Sequence, residues 1–135
     1  MNLNQCLQQA LGWRRAWRWL LALLVLVICW LAFSPAPPPQ LHTHWDKLNH
    51  ALAFASLAWC ASLGWPTPPG AHAGWHRLRL ALALLAFGAF VEVVQAQMPP
   101  RSAEWADLLA DGVGIVLGWA LVQGLHLACR SAAAR

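Results

Sequence analysis

Acidic residues are scarce in this chain: Asp46, Glu92, Glu104, Asp107 and Asp111 are the only five in 135 residues. Charged residues of both signs make up 10% of the sequence, against roughly 25% in soluble domains. With 59% hydrophobic residues, such a composition excludes an ordinary soluble globular protein. The apolar residues also lack the in-out alternation of a transmembrane β-barrel. None of the nine prolines falls inside an apolar run; they sit at positions 35–39, 66–69 and 99–100, so no helix is interrupted. No two of Cys6, Cys29, Cys60 and Cys129 have metal-ligand spacing. None lies in an expected outer loop, so no disulfide framework is implied. Internal repeats and low-complexity tails are absent as well.

What the chain does contain is four apolar blocks, at about 17–33, 48–64, 79–98 and 107–127. Each approaches the ~20 residues that a helix needs to cross a bilayer. The expected fold is therefore all-α, a single four-helix transmembrane bundle over 17–127. Residues 1–16 and 128–135 are the expected cytoplasmic N-terminal segment and tail. Arg14, Arg15 and Arg18 stand at the start of the first block, Arg77 and Arg79 before or at the third, and Arg130 and Arg135 after the fourth. Only Lys47 and Arg101 fall on the other side, so the positive-inside rule sets both termini in the cytoplasm. The net charge of +4 is thus a topology signal, and no nucleic-acid partner is implied. A cleaved signal peptide is the weaker reading of the first block, because prolines at 37–39 follow its small residues. Trp13, Trp17, Trp19, Trp65 and Trp75 mark one interface, and Trp30, Trp45 and Trp105 the other.

All five acids collect at the end opposite the arginines, and an ionisable cluster beside lipid is a functional-site hypothesis by default. Asp46 and His50 are four apart and share a helical face. Asp46 also completes a capping box with Thr43, and Lys47 is placed to snorkel to headgroups. Glu92 and Gln95 share a face of the third helix, with Glu92 expected about 9 Å below its Met98 end. A carboxylate at that depth needs a partner, and His50, Lys47 and Arg101 are the candidates. Arg101 offers a planar fork for carboxylate or phosphate. Ser102 can cap the fourth helix, with Glu104 at its positive end. Asp107, Asp111, Gly114 and Gly118 form one stripe, whose glycines permit close helix approach and press both acids toward a neighbour.

Asp46-Lys47-x-x-His50-x-x-x-Phe54, Glu92-x-x-Gln95, Pro100-Arg101 and Asp107-x-x-x-Asp111-x-x-Gly114-x-x-x-Gly118, in that order, resemble the VanZ-like membrane proteins. The resemblance spans about residues 40–120; it departs at Asp111, where many members carry Asn. It implies a small helical protein of the bacterial cytoplasmic membrane, in a family named for a member linked to teicoplanin resistance. No firm biochemical activity comes with that name.

The leading functional expectation is an extracytoplasmic site that binds or modifies a lipid-borne or cell-wall-related anionic group. Arg101, Lys47, Gln95 and Asp46 are its candidate ligand-binding residues, and His50 and Glu92 its candidate general acid and base. Asp107 and Asp111 are candidate ligands of a divalent cation such as Mg²⁺. A small proton-coupled exporter assembled as a homo-oligomer is one alternative. A scaffold whose polar groups only interlock is another.

Overall fold

The computed structural model describes residues 9, 11–34, 46–68, 70, 72–98 and 104–133. Among them the chain is all-helical: α1 (Arg14–Phe33), α2 (Asp46–Gly64), α3 (Ala73–Gln95) and α4 (Trp105–Ala133). The helices start earlier than the apolar blocks, because hydropathy does not register a polar first turn. α3, for example, opens six residues ahead of its block, after a turn in which Gly70 takes φ 88° and the Ala73 N–H bonds to the Gly70 carbonyl. It closes at Gln95, four residues before Pro99, which has no N–H to bond back to the Gln95 carbonyl. α4 continues through Ala133, past the end of the fourth block.

α1, α3 and the stretch Trp105–Cys129 of α4 are each long and apolar enough to cross a membrane. Their outer faces carry exposed Leu26 and Trp30, Leu82 and Phe90, and Val116 and Leu121. So much contiguous apolar surface does not persist in water, and the chain is a membrane protein. α2 differs. It is 19 residues long, begins Asp46-Lys47-Leu48-Asn49-His50, and touches all three other helices. Most of the fully enclosed apolar residues belong to it, including Phe54, Leu57, Ala58 and Ala61. Lipid-facing apolarity is needed least on the helix that its neighbours cover.

The tightest seam joins α2 to α4. A Cβ on Gly114 would overlap the Ala51 carbonyl oxygen, and one on Gly118 the Ala55 carbonyl oxygen. Glycine on α4 facing alanine on α2 lets the two backbones touch, which is how helices gain packing where lipid removes the hydrophobic drive. α1 adds Leu21, Leu24, Val25 and Ile28, spaced to lie along one face, to the core around Phe54 and Leu57. At the basic end the Arg18 Nε donates to the Gly64 carbonyl at 2.9 Å, and the guanidinium lies 4.7 Å from the centre of the Trp65 ring. That contact ties the start of α1 to the end of α2.

Candidate functional site

Antiparallel helices bring the start of α2, the end of α3 and the start of α4 to one end of the bundle. Asp46, Lys47 and His50 come from the first, Glu92 from the second, and Glu104, Asp107 and Asp111 from the third. The α2–α4 seam decides how deep they sit. With the backbones touching at Gly114, one turn above it Asp111 is wholly enclosed and Asp107 is 4% exposed.

His50 is the hub. Its Nδ1 stands 2.9 Å from Asp111 Oδ1, and its Nε2 stands 3.7 Å from Glu92 Oε1. With Asp111 ionised, Nδ1–H donates to it, and Nε2 faces Glu92 on α3, as a lone pair in the neutral ring or as a second N–H in the imidazolium. Lys47 Nζ bonds Glu104 Oε2 at 2.9 Å and reaches Asp107 Oδ1 at 3.5 Å. Glu92 also receives the Glu104 backbone N–H on Oε2 at 3.1 Å. Because α4 opens at Trp105, that donor is at the helix start, and Glu92 sits against the positive end of the α4 dipole. Glu92 is thus in the last turn of α3, shallower than a helix running to Met98 would place it.

Three carboxylate oxygens stay enclosed without a hydrogen-bond partner among the described residues: Glu92 Oε1, Asp107 Oδ1 and Asp111 Oδ2. Lys47 Nζ at 3.5 Å and His50 Nε2 at 3.7 Å face two of them without a hydrogen bond. Buried acceptors left short of hydrogen bonds cost free energy, so their concentration around one imidazole marks the place where a proton, cation or ligand group is most strongly favoured. Chemically, a histidine oriented by one carboxylate and facing a second is equipped to accept and release a proton. Asp46, His50 and Asp107 each present one donor atom within 4.8 Å of the other two, a spacing that suits a metal ion.

The expected site residues therefore divide. Lys47, His50, Glu92, Asp107 and Asp111 share one network, with Asp46 at its exposed edge. Gln95 is directed elsewhere: its Nε2 donates to the Ala32 carbonyl of α1 at 3.3 Å, which makes it a tie between helices. Asp111, expected beside Asp107 as a metal ligand, holds His50 through Oδ1, and Asp46 joins His50 and Asp107 in the group whose donor atoms lie within 4.8 Å of one another. Arg101, Thr43, Trp45 and Ser102 lie outside the described residues.

One participant escaped the sequence reading. Gly88 lies on α3 one turn before Glu92, and a Cβ there would overlap Asp111 Oδ2 and come within 3.1 Å of the Phe54 ring. The available signal was a lone glycine inside an apolar helix, a choice that costs about 1 kcal/mol against alanine and so asks for a reason. Replacing it by alanine regains that propensity but drives Asp111 off His50. G88A is therefore expected to destabilise the protein by about 1–3 kcal/mol, as overpacked cores do. Thermal melting in detergent checks it, and a G88A protein as stable as wild type would show that Asp111 has other room.

Comparison with protein-family models, with curated proteins and with solved structures returns no match.

Proposed function

We propose that this chain is a VanZ-like integral membrane protein of the bacterial cytoplasmic membrane, crossing it four times with both termini inside. On this reading the acid end faces outward and engages a lipid-borne or cell-wall-related anionic group. The observation that carries the proposal is the convergence of the half-exposed Lys47 with His50, Glu92, Asp107 and Asp111, from three helices, on one network at a single end whose three acids are buried. Ionisable groups are expensive there, and packing alone rarely retains so many. The opposite end carries Arg14, Arg15, Arg77 and Arg79 at the starts of α1 and α3, which supports that end as cytoplasmic. In this arrangement Lys47 and Arg101 attract phosphate or carboxylate, while His50 and Glu92 exchange a proton with it.

A scaffold reading has its own support, since Lys47–Glu104, His50–Asp111 and Glu92 with the Glu104 amide are already paired. The exporter reading has less: every acid lies at one end, and alternating access needs groups on a path to both sides. Single neutralisations separate the first two. E92Q, D107N and R101Q, each at wild-type membrane level, are expected to change envelope phenotypes, glycopeptide susceptibility first among them because of the family resemblance. Wild-type phenotypes in all three, with only melting altered, would leave the scaffold.

A further inference from the structure

Asp46 and His50 stand one turn apart on α2, and Asp107 meets them from the first turn of α4. One donor atom of each lies within 4.8 Å of the other two. Metal–nitrogen and metal–oxygen bonds of roughly 2.0–2.2 Å hold donors closer together than that limit. Asp46 is exposed at the helix start and has the freedom to close in.

Two further observations separate this group from a mere acidic patch. First, Asp111 Oδ1 holds His50 Nδ1 at 2.9 Å. A carboxylate on one ring nitrogen is the usual outer support of an imidazole that binds metal through the other, and with Nδ1 held by Asp111 the nitrogen open to a metal in the neutral ring is Nε2. Second, Asp107 is 4% exposed, and its Oδ1, which makes no hydrogen bond among the described residues, is faced by the Lys47 ammonium at 3.5 Å, a cation already drawn to this oxygen. Glu92 Oε1, also without a hydrogen bond among them, lies 3.7 Å from Nε2, where it can complete a fourth position.

We propose that Asp46, His50 and Asp107 bind one divalent first-row cation, Zn²⁺ or Mn²⁺. Asp111 is the residue that orients the imidazole, and Lys47, 3.5 Å from Asp107 Oδ1, is the internal cation that competes with the ion. An imidazole with two carboxylates favours these ions over Mg²⁺, which binds oxygen and keeps its water. The inference deepens the anion-binding reading and rests on it: positions of the ion not filled by protein are the ones an anionic group would take.

The test uses the full chain in nanodiscs of phosphatidylcholine, titrated with Zn²⁺, Mn²⁺ and, as a control, Mg²⁺ by calorimetry. Bound metal is counted by elemental analysis after desalting. One ion per chain is expected, with D46N and D107N each weakening binding tenfold or more. D111N is expected to weaken it by roughly 10–100-fold, the usual loss when an outer-shell partner goes. K47M should strengthen it, an outcome that a purely structural network does not give. D46N and K47M change exposed or half-exposed side chains, so they carry the test even if the enclosed variants fold poorly. No stoichiometric uptake by wild type, or D46N and K47M affinities equal to it, overturns the proposal. The titration contains no anionic lipid, so its failure is distinguishable from failure of the susceptibility assay.

Discussion

Introducing leucine at Gly114 is expected to take the bundle apart. The first atom of any side chain there would fall on the Ala51 carbonyl oxygen and within 3.0 Å of the Ala55 nitrogen. These are backbone atoms of a helix, so no rotamer change relieves the overlap; α4 must move away from α2. That movement breaks the closest seam among the described helices, and it withdraws Asp107 and Asp111 from Lys47 and His50. Ordinary overpacking costs about 1–3 kcal/mol, and a helix displaced along its length should exceed that range. Gly112 supplies the control, because a Cβ there meets nothing within 4 Å. Titration with a denaturing detergent is expected to show G112L close to wild type and G114L without a cooperative transition. Equal stability of the two would mean that α2 and α4 are not held by backbone contact.

The second large effect follows from removing the His50 imidazole. H50A leaves Asp111, which has no exposed surface, without its hydrogen-bond partner, and leaves Glu92 facing two other carboxylates. Removing one member of a buried charged pair typically costs about 3–5 kcal/mol, because the remaining charge stays desolvated. D111N keeps an oxygen that can accept from Nδ1–H, so it should cost much less. The discriminating measurement is a double-mutant cycle of H50L and D111L: the pair together should be more stable than the sum of the singles by roughly 0.5–3 kcal/mol. Additive losses would show that the two residues do not act on one another.

These two cases differ in how far the sequence foretold them. The α4 stripe was legible: spacings of four, three and four put Asp107, Asp111, Gly114 and Gly118 on one face, and small residues there meant a close neighbour. Which helix that neighbour was did not follow, since Ala51 and Ala55 read as ordinary apolar filler in α2. Helix number followed from hydropathy and from where the prolines fall. The position of α2 did not, because periodicity cannot tell a helix shielded by others from one facing lipid. Glu92 was legible as anomalous, but its contact is a backbone N–H twelve positions on, supplied only when the start of α4 lies against the end of α3. Gln95 shows the opposite limit: its spacing from Glu92 suggested a shared site, yet an amide reaches whichever carbonyl is near, and that one is on α1.

Orientation decides whether this network can meet anything outside the cell. α3 holds 23 residues, roughly 35 Å at the helical rise, enough to separate its two ends across a bilayer. His72 precedes it at the arginine-bearing end, Gln97 follows it at the carboxylate-bearing end, and both are exposed. With the four native cysteines replaced, a single cysteine at either place can be labelled on whole cells by a maleimide that does not cross membranes. Q97C should react at once in intact cells, and H72C only after the membrane is opened. The reverse pattern would put Lys47, His50 and the acids in the cytosol, out of reach of any envelope ligand.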